Sequence, residues 1–259
     1  LMLMLSIDTE TTTFELHKNS IVELGAVLFK VCDDGSWVPD ELFCSLVYED
    51  GYTIPEEAEK VNGISIQKLK EEGISFKKAM EAVLPLIARA DYIIAHNAKF
   101  DLGMISSQCQ LKKIDSTKIF KRPWLCSIED LPSNEGKKCL KLSHLAVDYG
   151  VTVNPDELHR ATGDILLMGK MLEKAKADIY EMHRYSIAPY RVLAAEVTPP
   201  WEDNGKSVDI AKSLGFSWEK TRKSPKIFKK MWVKAVKALP EVLEKELNQP
   251  IKVRELGDI

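Results

Sequence analysis

One stretch near the start, Leu3 to Thr12 (LMLSIDTETT), constrains this chain more than any other. A short apolar run of this kind reads as a buried strand. Side chains alternate along a strand, so Asp8 and Glu10 leave on the same face. Two carboxylates side by side at the end of a buried strand repel each other, and burying them is costly without a positive partner. A hard divalent cation is the simplest partner for paired oxygen ligands. The rest of the chain is therefore expected to bring further ligands and a base to this strand.

The pattern beyond it alternates. Ser20 to Val31 (SIVELGAVLFKV) reads as a strand, Asp33 to Ser36 as a turn, and Glu41 to Tyr48 as the returning strand. Pro55 to Val61 and Ser65 to Glu72 read as short helices around Asn62-Gly63. Ser75 to Ala88 reads as a longer one, with Phe76, Ala79, Met80, Val83, Leu84 and Ile87 at helical spacing. A short strand at 91–95, a helix at 99–111, a strand at 124–128 and helices at 140–149 and 161–177 follow. A meander of strands that then alternates with helices predicts an α/β layer with a mixed central sheet, three antiparallel strands first and parallel strands after, flanked by helices.

The composition breaks near Val197 to Gly205 (VTPPWEDNG). Residues 201–259 hold 13 Lys and Arg against 9 Asp and Glu, a net +4, whereas residues 1–200 carry a net −7. The pattern predicts three parts: a domain over 1–178, a connecting segment over 179–200, and a small basic helical region over 201–259. In the last, Pro225 to Leu239 reads as an amphipathic helix with Lys226, Lys229, Lys230 and Lys234 on its polar side, all candidates for contact with nucleic acid. A net charge of −3 over 259 residues excludes a charge-driven, sequence-blind nucleic-acid coat. Five cysteines with no C-x-x-C spacing read as reduced core residues, which points to an intracellular, cytoplasmic protein. No apolar stretch is long enough to span a membrane.

Two further sites carry chemistry. His96-Asn97-Ala98-Lys99-Phe100-Asp101 follows the strand ending at Ala95, so Asp101 lies near a helix start beyond the carboxyl end of a strand, where open α/β sheets place their sites. In His159-Arg160-Ala161-Thr162-Gly163-Asp164 a loop histidine is followed by an aspartate in the first turn or so of a helix. Taken singly, each acid could merely complement a helix dipole. Taken together with Asp8 and Glu10, four carboxylates and a histidine fall at one end of the predicted sheet.

These three segments, Asp8-Thr9-Glu10-Thr11-Thr12, His96-Asn97-Ala98-x-Phe100-Asp101 and His159-Arg160-Ala161-x-x-Asp164, resemble the three motifs of the DEDDh (DnaQ-like) 3′–5′ exonuclease superfamily. Val61 to Ser65 is similar to the family's segment that contacts the terminal nucleotide, and Leu140 to Gly150 to the helix before the third motif. The resemblance covers residues 2–177. It departs at Thr13, where the family commonly has glycine, and at Cys126-Ser127, where Asp-Thr is often found.

The resemblance implies a ribonuclease H-like fold and phosphodiester hydrolysis assisted by two Mg²⁺ ions, with Mn²⁺ able to substitute. It implies that Asp8, Glu10, Asp101 and Asp164 are metal ligands and that His159 is the general base, since an imidazole can take a proton from water at neutral pH. Thr9, Thr11, Asn62, Gly63 and Ile64 would meet the terminal nucleotide, and Phe14 and Phe100 would stack on bases. For His96 a loop-ordering polar contact is the favoured reading. The expected reaction releases nucleoside 5′-monophosphates from the 3′ end of DNA, single-stranded or frayed. The alternatives are an exoribonuclease or oligonucleotide hydrolase of the same fold, an inactive nucleic-acid-binding module, and a proofreading subunit docked on a polymerase or repair partner.

Overall fold

The computed structural model describes residues 1–12, 21–135, 137–155, 158–218 and 232–258. They form two compact units, residues 1–186 and 187–259.

The first unit is organised on a five-stranded sheet. β1 (Met2–Thr11), β2 (Ile21–Val31) and β3 (Trp37–Leu46) form the antiparallel meander. After the short helices α1 (Glu56–Asn62) and α2 (Ile66–Glu72) comes α3 (Phe76–Arg89), then β4 (Tyr92–Ala95), α4 (Ala98–Leu111) and β5 (Trp124–Cys126). β4 lies parallel to β1 and β5 parallel to β4, giving the order β3-β2-β1-β4-β5. Helices α5 (Leu142–Asp148), α6 (Ala161–Lys174) and α7 (Ile179–Ile187) complete the α/β layer. The antiparallel meander followed by parallel strands matches the sequence expectation.

Alternation along β1 divides the core. Leu5 and Ile7 turn to one face and pack with Phe76, Met80, Val83 and Ile87 of α3 and Met104 and Ile105 of α4. Met4 turns to the other and packs with Val27 and Phe29 of β2 and Ile165, Met168 and Met171 of α6. Asp8 and Glu10 share the parity of Met4, so the strand aims them at the α6 side. Thr9 has the opposite parity and faces α4.

Helix α6 sits close on the sheet because β2 has no side chain where they cross. A Cβ on Gly25 would stand 2.7 Å from the Ala161 Cβ and 3.2 Å from the Ile165 Cδ1. Gly25 pairs with Asp8 across β1 and β2, so this close approach occurs beside the acidic end of the strand.

The second unit differs from the helical region the sequence suggests. It contains β6 (Tyr190–Ala195), α8 (Pro200–Asp203), α9 (Lys206–Ser213), β7 (Ser217–Trp218), β8 (Trp232–Lys237), α10 (Pro240–Leu247) and β9 (Val253–Asp258). The strands form an antiparallel sheet of order β7-β8-β6-β9 over a core that includes Leu193, Phe216, Val236 and Val253. The segment 232–237, expected to close an amphipathic helix, is strand β8, paired along its length with β6. Its partner lies inside 179–200, which had read as a connector, so the cue for pairing was hidden; the compact units divide after Ser186. Strand propensity that depends on a distant partner overrides a helical spacing of apolar residues. The remainder of the expected helix, with Lys226, Lys229 and Lys230, lies outside the described residues.

Candidate active site

Three elements bring acids to the carboxyl end of β1. Asp8 and Glu10 come from β1 and Asp164 from the first turn of α6. One carboxylate oxygen from each lies within 4.8 Å of the others, and among the described residues this is the group suited to hold a metal ion. All three are half-buried.

Asp101, from the first turn of α4, is only 2% exposed and arrives from the opposite face of the sheet. Its Oδ1 accepts hydrogen bonds from the Thr9 backbone N–H (3.0 Å) and the Thr9 hydroxyl (2.8 Å). Strand parity explains the division of labour: Thr9 turns toward α4 to hold Asp101 while its two neighbours turn toward α6.

The cost of this crowding is visible in the titration of each group. Burial first, then the charges of Asp101, Glu10, Asp164 and Glu23, push Asp8 well above the usual carboxylate range. Burial, with Asp164, Glu23 and Asp101, pushes Glu10 up to about 8, and Arg160 opposes it. Burial raises Asp101 to about 7 against the lowering effect of its bonds to Thr9. Burial also raises Asp164, opposed by the charge of His159 and by a hydrogen bond from its backbone. Protonation relieves such repulsion, and so does a divalent cation, which takes hard carboxylate oxygens. The donor set therefore fits the expected metal chemistry.

His159 is exposed, occupies a left-handed backbone conformation (φ 60°), and lines a cleft of about 690 Å³ together with Asp164, His96, Asn97, Lys141 and His144. His96 is not free to act in it. Its Nε2 stands 2.9 Å from the Leu140 carbonyl and so carries the proton, leaving Nδ1 to accept from the Ser127 hydroxyl at 2.8 Å. Burial pushes its pKa down to about 4. The neutral ring staples the loop after β4 to those around Ser127 and Leu140, in keeping with the loop-ordering role.

The expected substrate contacts fare unevenly. Thr9 is buried and Thr11 half-buried beside the acids. Ile64 has no exposed surface and packs with Val22, Leu46 and Leu69, so its side chain belongs to the core and only its backbone is placed to face a ligand. Asn62 is buried and spends its Oδ1 on the Ile64 N–H at 3.0 Å; it shapes the turn whose left-handed residue is Gly63 (φ 68°). Phe100 is half-buried against the α3–α4 core. Phe14 lies outside the described residues. Lys234 was expected on an open lysine face; it instead pairs at 2.7 Å with Glu246, which is 4% exposed, so its charge is matched within the fold.

Glu23 is the residue that the sequence reading passed over. It stands directly across from Glu10 in the β1–β2 register and is 1% exposed. The Arg160 Nε lies 3.1 Å from both of its carboxylate oxygens, the Arg160 Nη2 binds Oε1 as well, and the Ala161 N–H donates to Oε2 at 2.9 Å. The available signal was a lone acid inside an otherwise apolar strand, since buried acids are rarely unpartnered.

Known proteins carry the same framework. A family model described as Exonuclease (RNase_T) matches residues 5–172. Ribonuclease T of Histophilus somni is 32% identical over 118 residues, which are 42% of this chain and 54% of that protein. DNA polymerase III subunit epsilon of Aquifex aeolicus is 27% identical over 191 residues, 72% of this chain and 86% of that one. Among solved structures, E. coli exonuclease I in complex with an oligonucleotide aligns with a TM-score of 0.64 at 11% identity, over 96% of this chain and 67% of that chain. The chain thus spans about half the length of the ribonuclease T it matches.

Proposed function

This chain belongs to the DEDDh (DnaQ-like) exonuclease family, and from that premise we propose that it hydrolyses DNA from a free 3′ end, releasing nucleoside 5′-monophosphates. The observation that carries the reading is the convergence of Asp8, Glu10 and Asp164 within 4.8 Å of one another, with Asp101 behind them.

Two bound Mg²⁺ ions, or Mn²⁺ in their place, would supply the charge that draws out a nucleophilic water and steadies the leaving oxygen. Asp8, Glu10 and Asp164 hold oxygen ligands toward one position, and Asp101 adds a fourth carboxylate whose orientation Thr9 fixes. His159 stands exposed at the edge of the same cleft, where it takes a proton from the attacking water. The turn at Asn62-Gly63 offers backbone to the terminal nucleotide. DNA or RNA enters as a strand with a free 3′ end, and a polymerase or repair protein is the partner that the similarity to a polymerase subunit suggests.

The second reading is an exoribonuclease, favoured by the 32% identity to a ribonuclease T. One experiment decides between them. Purified protein with Mg²⁺ or Mn²⁺ is given matched DNA and RNA oligomers bearing free 3′ ends. Faster release of deoxynucleotides supports the proposal, and faster release of ribonucleotides the alternative. No release from either sinks both and leaves a binding module. No helix among the described residues is long and apolar enough to cross a membrane.

A further inference from the structure

A structural carboxylate could hardly be placed less favourably than Glu23. It lies beside Asp8, Glu10 and Asp164 and adds to their mutual repulsion. If holding α6 against the sheet were its only task, an apolar side chain at position 23 would serve as well or better, because Glu23 is buried while its partner Arg160 is 42% exposed, and a buried carboxylate carries a desolvation cost. What the pair supplies is direction. The Arg160 fork engages both oxygens of Glu23, and the first N–H of α6, that of Ala161, is fixed to the same carboxylate.

Arg160 also stands between the two groups whose relative placement matters most. His159 precedes it, in the left-handed conformation that turns the chain into the cleft. On its other side, the Arg160 carbonyl accepts the Asp164 N–H at 3.0 Å, closing the first turn of α6. Glu23 is anchored in turn through the β1–β2 register, directly opposite Glu10. A continuous link therefore runs from the strand bearing Asp8 and Glu10 to the loop bearing His159 and the helix bearing Asp164.

We propose that Glu23 and Arg160 act as one positioning unit that registers His159 and Asp164 against the acids of β1. This rests on the exonuclease reading for the identity of the base and the ligands. Both are positioning residues, acting through His159 and Asp164.

A double-mutant cycle tests it: Glu23→Gln, Arg160→Gln and the double variant, with Arg160→Lys as a fourth protein. Each single variant is expected to lower kcat by about 10–100-fold, with KM within about threefold of wild type and any loss of Mn²⁺ affinity by calorimetry smaller than the loss of kcat, the signature of misplaced rather than missing groups. The double variant is expected to be about as slow as the slower single one, because the two act as a unit. Arg160→Lys keeps the charge but loses the fork, and is expected to stay slow.

Proton NMR of the metal-free protein provides a readout that needs no turnover. Glu23→Gln, nearly isosteric, is expected to shift or broaden the His159 imidazole signal and leave that of His96 in place. Unchanged kcat, additive losses, full activity in Arg160→Lys, a fall in Mn²⁺ affinity matching the fall in kcat, or an undisturbed His159 signal would each overturn the proposal. Wild-type turnover tests the exonuclease reading separately, so the two failures are distinguishable.

Discussion

At the scale of single residues, the site assigns different work to chemically similar groups, and mutation separates them. Asp8 is the most crowded acid, raised by burial and by four neighbouring carboxylates. Asp8→Ala is expected to abolish turnover while the protein stays folded, and to raise the melting temperature of the metal-free form because repulsion is relieved. Retention of near-normal activity would show that no essential ligand sits there. His159→Ala is expected to slow the reaction by about 10²–10⁴ at neutral pH and leave Mn²⁺ affinity intact; loss of affinity instead would make His159 a ligand. The three motifs were legible in the sequence because each is local: two acids on one strand, a histidine and an aspartate five residues apart at a helix start. Glu23 showed only as a lone acid in an apolar strand, and its partner was not legible, since Arg160 is 137 positions away. Ile64 shows the converse: it stands within a recognisable segment, yet the fold turns its side chain into the core.

At the scale of elements, the close seat of α6 on β2 is the contact on which the site depends. Gly25→Ala would place a methyl 2.7 Å from the Ala161 Cβ and 3.2 Å from the Ala161 carbonyl carbon. The start of α6 has to move, carrying Asp164 with it. The expected cost is about 1–3 kcal/mol of stability, together with a fall in kcat, measured by chemical denaturation and oligomer digestion. Wild-type values in both would mean the helix shifts without penalty. Strands and helices of the first unit could be placed from hydrophobic periodicity because each strand's neighbour in the sheet arises from a simple meander or a β–α–β step. Strand β8 could not, since its pairing partner β6 precedes it by some forty residues and both β6 neighbours, β8 and β9, come later in the chain.

For the whole molecule, the raised carboxylates link stability to pH and to metal. Glu10 rises from 4.5 to about 8 and Asp101 from 3.8 to about 7. A carboxylate whose folded pKa is raised favours the folded state when protonated, so its contribution is fully present below the unfolded value and is lost as pH climbs through the folded value. The metal-free protein is therefore expected to melt at progressively lower temperature between pH 5 and pH 8. Saturating Mg²⁺ or Mn²⁺ should raise the melting temperature, and by more at pH 8 than at pH 5, because only the ionised acids bind the cation. A melting temperature that ignores pH and metal would contradict the electrostatic account. A last consequence follows from the two left-handed residues, Asn97 and His159, that lead into α4 and α6. Asparagine and histidine both adopt that conformation more readily than most residues, but a Cβ there still costs about 1 kcal/mol relative to glycine. His159→Gly would relax the backbone and delete the proposed base in one step. Selection for heat resistance alone would thus reward an inactive enzyme, and directed evolution of this scaffold has to screen for turnover and endurance together.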